Sequence, residues 1–267
     1  MGKCRLCDQE GVLRDSHYIP KAAYKHVRGT KAEGSTSPVK IDFRTMSASQ
    51  TDAQFRREML CIDCEDLFSK NGERRMGMLW ATEQSFPLLE MLKKMKPSHV
   101  GQGFEVYQTN DFAPADIDSA FYFAVSIIWR AQVWDWGRDI DPYRRALGEV
   151  WESKFKNFLL YRQPLENVYL SINVNSNPGP GLAIVLPICK RAAGGWLHSF
   201  TILGIKFDMY IGDQLNTDIT HVFTYHDSTV VVVLTDHFKS QSFNDMSAWV
   251  NKNVVIKGKV ADRFKGK

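Results

Sequence analysis

The sequence predicts an α+β fold in three parts: a small N-terminal zinc module, a helical middle and a C-terminal, mainly antiparallel sheet. Three observations predict it. Two C-x-x-C pairs, Cys4-Arg5-Leu6-Cys7 and Cys61-Ile62-Asp63-Cys64, can offer four thiolates to one tetrahedral ion. From Met76 to Leu160 apolar residues recur at helical spacing. After Pro164 the pattern changes to short apolar runs, some strictly alternating, divided by Gly, Asn and Pro. The domain organisation that follows is a module over residues 1–75 and an α+β domain over 76–267.

Composition bounds the rest. The chain has 267 residues, 44% of them apolar, which is ordinary for a protein with a real core. A net charge of +4 permits a nucleic-acid partner without demanding one. No apolar run approaches the roughly 20 residues that span a bilayer. The best, Ala120 to Val133, is too short and contains Arg130, so no membrane partner is expected. No apolar segment follows Lys3, Cys4 and Arg5 as it would in a secretory leader, so a cytoplasmic location and reduced thiols are expected. Four of the five cysteines fall in the two pairs, which suits a structural Zn²⁺ better than disulfides.

In chain order, Gly11 offers a turn, Val12-Leu13 and Tyr18-Ile19 are apolar enough for the two short strands of a local hairpin, and Pro20 ends the second. Residues 21–27 suit a turn or two of helix. Residues 28–52 read as a long loop holding at most one strand, near Val39 to Phe43. Ala53 to Cys61 leads into the second cysteine pair. A helix is expected over Glu65 to Ser69, with Asn71-Gly72 ending or interrupting it. Met76 to Met95 reads as a helix with Leu79, Leu88, Leu89 and Leu92 on one face, broken or kinked at Pro87. A wide apolar face predicts a largely buried helix from Ile117 to Trp134, capped by Asp116 or Asp118, in which Arg130 needs a partner. Asp141-Pro142 should open a helix from Tyr143 to Leu160. Strands are expected at Val168–Val174, Leu182–Ile188, Leu197–Phe207 and Val230–Leu234, then a helix near Phe243 to Val250 and a basic tail.

Residues 4 to about 75 resemble the HNH, or ββα-metal, nuclease family. The residues that carry the resemblance are Cys4 and Cys7, Ser16-His17-Tyr18-Ile19-Pro20, and Leu60-Cys61-Ile62-Asp63-Cys64-Glu65. The resemblance implies a metal-dependent endonuclease that hydrolyses phosphodiester bonds in DNA, or less readily RNA, with a role in bacterial defence. It makes His17 the general base that activates water, and Glu65 an oxygen ligand for a catalytic Mg²⁺ or Mn²⁺. Cys4, Cys7, Cys61 and Cys64 would hold the structural zinc. The chain departs from the family in having Ser16 where an acidic ligand usually stands, and in lacking a clear counterpart of the Asn that orients the His. Glu73 would serve as a second metal ligand only if the helix ran unbroken past Asn71-Gly72.

Lys21, Lys25, Arg56, Arg57, Lys70 and Arg74 are candidate phosphate contacts. The bland alternative is a mixed, solvated surface. For the chain as a whole, the alternative to an endonuclease is a zinc-stapled nucleic-acid-binding or protein-interaction module without catalysis. His221, His226 and His237 read as scattered histidines, and Cys189 as a buried thiol.

Overall fold

The computed structural model describes residues 1–28, 37–135, 143, 146–177, 182–258 and 261. The chain is α+β, with a cysteine-bearing N-terminal segment, a helical centre and a large, mostly antiparallel sheet. Asp141-Pro142, residues 178–181 and most of the basic tail lie outside the described residues.

Strands β1 (Gly2–Lys3) and β2 (Glu10–Gly11) pair around the first cysteine pair. Strand β3 (Arg14–His17) precedes the short helix α1 (Lys21–Tyr24). Strands β4 (Val39–Asp42) and β5 (Ser47–Gln50) form a hairpin, and β6 (Arg56–Leu60) leads into the second cysteine pair. Here the structure corrects the local hairpin: β3 pairs antiparallel with the distant β6, His17 opposite Arg56, while Val12 is an exposed loop residue. The Arg-Arg-Glu-Met-Leu run of β6 hides its strand character, because only Met59 and Leu60 are buried. The second strand of the β4–β5 hairpin, absent from the sequence reading, is wholly polar or small. Its turn is closed by Asp42, whose carboxylate accepts the N–H groups of Arg44 and Thr45 at 3.1 and 3.2 Å.

Helix α2 (Ile62–Phe68) begins three residues before the predicted start. Asn71-Gly72 does not end it. The chain passes through a π-helical turn (Ser69–Glu73) into α3 (Arg74–Met76). One extra residue in a turn is how a helix accommodates a locally crowded approach. The predicted Met76–Met95 helix is instead a loop followed by α4 (Pro87–Leu92), which Pro87 opens as its first residue. Proline has no N–H to lose at that position. Strands β7 (His99–Gly101) and β8 (Phe104–Tyr107), short and partly exposed, escape the sequence reading.

Helix α5 (Pro114–Val133) is the central element. Pro114 rather than Asp116 or Asp118 marks its start, and Asp116 forms an ion pair with Arg75. Tyr122 to Ile128 are almost wholly buried. Helix α6 (Gly148–Tyr161) starts later than Tyr143, which lies in a turn ahead of it.

The large sheet follows. Strands β9 (Val168–Asn175), β10 (Ile184–Ala192), β11 (Gly195–Ile202) and β12 (Ile205–Ile211) are succeeded by helix α7 (Thr217–Thr224) and strand β13 (Val230–Thr235). Helix α8 (Gln241–Asn253) and strand β14 (Val255–Ile256) close the described chain. The strand order is β10-β11-β12-β9-β13-β8-β7, antiparallel except for the β9–β13 pair. The predicted Leu197–Phe207 strand is two strands, because the chain reverses at Leu203-Gly204 with φ of 47° and 83°. Positive φ at both central residues is the tight hairpin turn that matches strand twist, and glycine takes it without strain. β14 adds to β5 in parallel, so the end of the described chain joins the β4–β5 hairpin.

Helix α5 lies between the sheet and the cysteine-bearing segment. On one side Phe123 meets Phe200 and Phe207, with ring centroids 6.2 and 5.7 Å away. On the other, Tyr122 and Trp129 stand edge-on to Phe68 of α2. One cluster of buried residues therefore runs from Cys4 through α5 to Val232, and segments 1–75 and 76–267 share a core.

Candidate metal centre and adjoining pocket

The first cysteine pair sits in a tight reversal. Cys4 N–H donates to Gln9 O at 2.9 Å, Asp8 N–H donates to Cys4 O at 3.0 Å, and Asp8 takes a φ of 61°. The second pair is helical, with Cys61 as the residue before α2 and Cys64 in its first turn. β6 delivers Cys61 to the first pair, since Arg5 N–H donates to Met59 O at 3.0 Å. All four Sγ atoms lie within 4.8 Å of one another. Cys7 and Cys61 Sγ are 3.8 Å apart. Metal–sulfur bonds of about 2.3 Å in a tetrahedron give sulfur separations of about 3.8 Å, so the spacing fits a metal such as zinc. Cys61 N–H also points at Cys4 Sγ, 3.3 Å away, as suits a sulfur carrying negative charge. No cysteine is in a disulfide.

The electrostatics ask for a cation. Burial pushes the Cys64 thiol far up, and the neighbouring thiols add to the shift. Burial raises Cys7 as well. At Cys4 burial opposes ionisation, but the N–H groups of Cys7, Cys61 and Leu6 outweigh it and bring the thiol below its ordinary value. The protein alone eases ionisation at Cys4 and opposes it at Cys7 and Cys64. Four adjacent thiolates need a metal's charge among them.

Beside the centre lies a pocket of about 290 Å³ lined by His17, Pro20, Lys21, Glu65, Asp66, Ser69 and Glu73. His17 ends β3, which pairs with β6, and β6 runs through Cys61 into α2, where Glu65 follows the last cysteine. The His17 Nε2 is 3.0 Å from Gln54 Oε1, and the Tyr24 ring lies 6.4 Å from the imidazole. One carboxylate oxygen of Glu65 is buried with no hydrogen-bond partner. A buried, unsatisfied carboxylate oxygen is costly unless something binds it, and it is the atom here that best fits a hard cation. Among the described residues the four cysteines alone form a group of three or more ligands within 4.8 Å, so the pocket holds no ligand cluster drawn that close.

The other predicted residues fall into two classes. Ser16 is 1% exposed and turned away from the pocket, where its hydroxyl accepts the Leu60 N–H at 3.2 Å. Glu73 does reach the pocket through the π-helical turn, but it forms an ion pair with Arg130. That pair answers the need for a partner inside α5. The Arg130 guanidinium also donates to Tyr18 O at 3.3 Å and lies over the Phe68 ring at 4.6 Å. Of the candidate phosphate contacts, Arg56 is paired with Asp15 at 2.9 Å, Arg57 with Asp135 at 2.7 Å and Lys70 with Asp66 at 3.3 Å. Lys21, Lys25 and Arg74 are exposed and form no ion pair among the described residues. Gln54 has no motif to mark it and was not foreseen.

His221, His226 and His237 lie on α7, just after it and ahead of α8, and do not gather into a ligand group. Cys189 is half-buried, 3.7 Å from His198 Nε2, and burial pushes its thiol up to about 11. No helix among the described residues is long and apolar enough to cross a membrane. Compared with known proteins, the chain matches no family model, no curated protein and no solved structure.

Proposed function

We propose that this protein is an HNH-type endonuclease that hydrolyses phosphodiester bonds in nucleic acid, DNA before RNA, with its cysteine centre holding a structural Zn²⁺. The observation that supports this reading best is the shared pocket. A base and a carboxylate, forty-eight residues apart in sequence, line one cleft beside the metal centre. Hydrolysis needs a positioned water, a group to take its proton, and positive charge at the phosphate. His17 takes the proton. Glu65, with its unsatisfied oxygen, would hold Mg²⁺ or Mn²⁺, and that ion would supply charge at the scissile phosphate. Lys21 adds a fixed cation at the pocket wall, and Lys25 and Arg74 are available to the strand on either side. The zinc takes no part in the chemistry and fixes β3 against α2.

A second reading keeps the scaffold without the reaction: a zinc-stapled module that binds nucleic acid or a protein. The buried Ser16 and the engagement of Glu73 by Arg130 favour it, because together they leave Glu65 as the pocket's one clearly free ligand.

Incubating zinc-loaded protein with supercoiled plasmid and with a structured RNA, in Mg²⁺ and in Mn²⁺, separates the two. The nuclease reading expects cleavage that falls at least a hundredfold in His17→Ala and in Glu65→Gln. Binding without cleavage in any of these conditions establishes the second reading, and cleavage that survives His17→Ala removes His17 as the base.

A further inference from the structure

We infer that Gln54 is the positioning residue for His17, holding the imidazole in the Nε2–H tautomer and so making Nδ1 the nitrogen that receives the water's proton. The inference rests on the nuclease reading of the pocket. It is carried by the 3.0 Å contact between His17 Nε2 and Gln54 Oε1. An amide oxygen can only accept, so the facing ring nitrogen carries the hydrogen and the lone pair sits on the other nitrogen. Nδ1 makes no hydrogen bond among the described residues, which leaves its lone pair available.

The surroundings make Gln54 a fixed reference rather than a passing contact. Its neighbour Phe55 is tied on both sides: Tyr18 N–H donates to Phe55 O at 2.9 Å, and the Tyr24 hydroxyl accepts the Phe55 N–H at 3.3 Å. Tyr18 directly follows His17, and Gln54 stands two residues ahead of β6, so the Tyr18–Phe55 hydrogen bond ties the segment that carries the ring to the one that carries the amide. When water is deprotonated its proton passes to Nδ1 and its oxygen bonds to phosphorus, while the P–O bond to the departing strand breaks and the released alkoxide takes a proton from solvent. The resulting imidazolium keeps its Nε2–H on Gln54, so the amide need not move during the step.

The experiment has two arms on zinc-loaded protein. Long-range ¹H–¹⁵N NMR of the imidazole reads the tautomer without any need for cleavage. His17 should be all but wholly Nε2–H in the wild type and in Gln54→Glu, which offers only acceptors, and a mixture in Gln54→Ala. Plasmid cleavage supplies the second arm. Gln54→Ala should lower kcat about tenfold or more with KM unchanged, and Gln54→Glu should recover most of it. Zinc content and near-UV circular dichroism confirm that each variant is folded. An Nδ1–H ring in the wild type, or the same tautomer ratio in Gln54→Ala as in the wild type, overturns the inference. A wild type that cleaves nothing overturns the nuclease reading instead, and the NMR arm still decides whether Gln54 governs the ring.

Discussion

Gly72 lies directly against the backbone of Phe123. A Cβ placed on Gly72 would stand 3.1 Å from both the amide nitrogen and the Cα of Phe123. Phe123 belongs to α5 and is fully buried against the sheet. The contact brings the π-helical turn onto α5, and about two turns further along the same helix Arg130 meets Glu73.

Gly72→Ala is therefore expected to destabilise the protein. The neighbouring atoms are backbone in a packed core and have little room to yield, so the cost should be about 1–3 kcal/mol. A fall of several degrees in the midpoint of thermal unfolding checks it. An unchanged midpoint would mean that the two helices can separate without loss.

The Arg130–Glu73 pair makes a second prediction. Arg130 is 1% exposed, and its removal leaves a largely buried carboxylate with no countercharge. Arg130→Met should cost about 3 kcal/mol, and Glu73→Gln in the same chain should recover a large part of that. Urea unfolding of both single variants and the double variant measures the coupling. Additive losses would argue that Arg130 acts through Phe68 and the Tyr18 carbonyl rather than through Glu73.

The cysteine centre predicts about one zinc per chain by elemental analysis, lost in Cys61→Ser. Loss of the metal should also loosen the first cysteine pair from the start of α2, where the four sulfurs meet. Strong chelation should then expose the 1–75 segment to proteases before the sheet, and a chelated protein as resistant as the native one would count against a structural role.

A pH dependence follows from His198, which is 1% exposed and hydrogen-bonded to the Tyr143 hydroxyl. Burial lowers its imidazole from an ordinary 6.5 to about 4. Between those values the unfolded chain binds a proton that the native chain refuses. Stability is thus complete above about pH 6.5 and declines as the pH falls toward 4, by on the order of 3 kcal/mol. His198→Gln should lose that slope. The acid titration of the clustered cysteines is common to both proteins, so the difference between their urea midpoints across about pH 4.5–7 isolates the imidazole.

The sequence made some of this legible and not the rest, for local reasons. The cysteine pairs and α5 could be read because spacing and a long apolar period are signals carried by neighbours in the chain. The partner strand of His17 could not, since Arg56-Arg57-Glu58 shows no alternation and pairing across forty residues leaves no local trace. The Leu203-Gly204 reversal was hidden by a leucine in a conformation leucine seldom adopts. Arg130 announced that it needed a partner, but Glu73 lies 57 residues away behind a π-helical turn that reads as a break. The candidate pocket shows the same division. His17 and Glu65, which their motifs single out, line it together, whereas Gln54 belongs to no motif and is visible only once the strands are paired.

The parallel seating of Val255-Ile256 on Ser47-Ala48 bears on how the protein is made. A ribosome releases the β4–β5 hairpin first, yet the third strand of that small sheet emerges only after the whole large sheet and α8. Until Val255-Ile256 has emerged, the edge of β5 is uncovered and open to other nascent chains. Truncation just before Val255 would leave that edge bare permanently, and yield of dispersed protein should suffer before any catalytic property does.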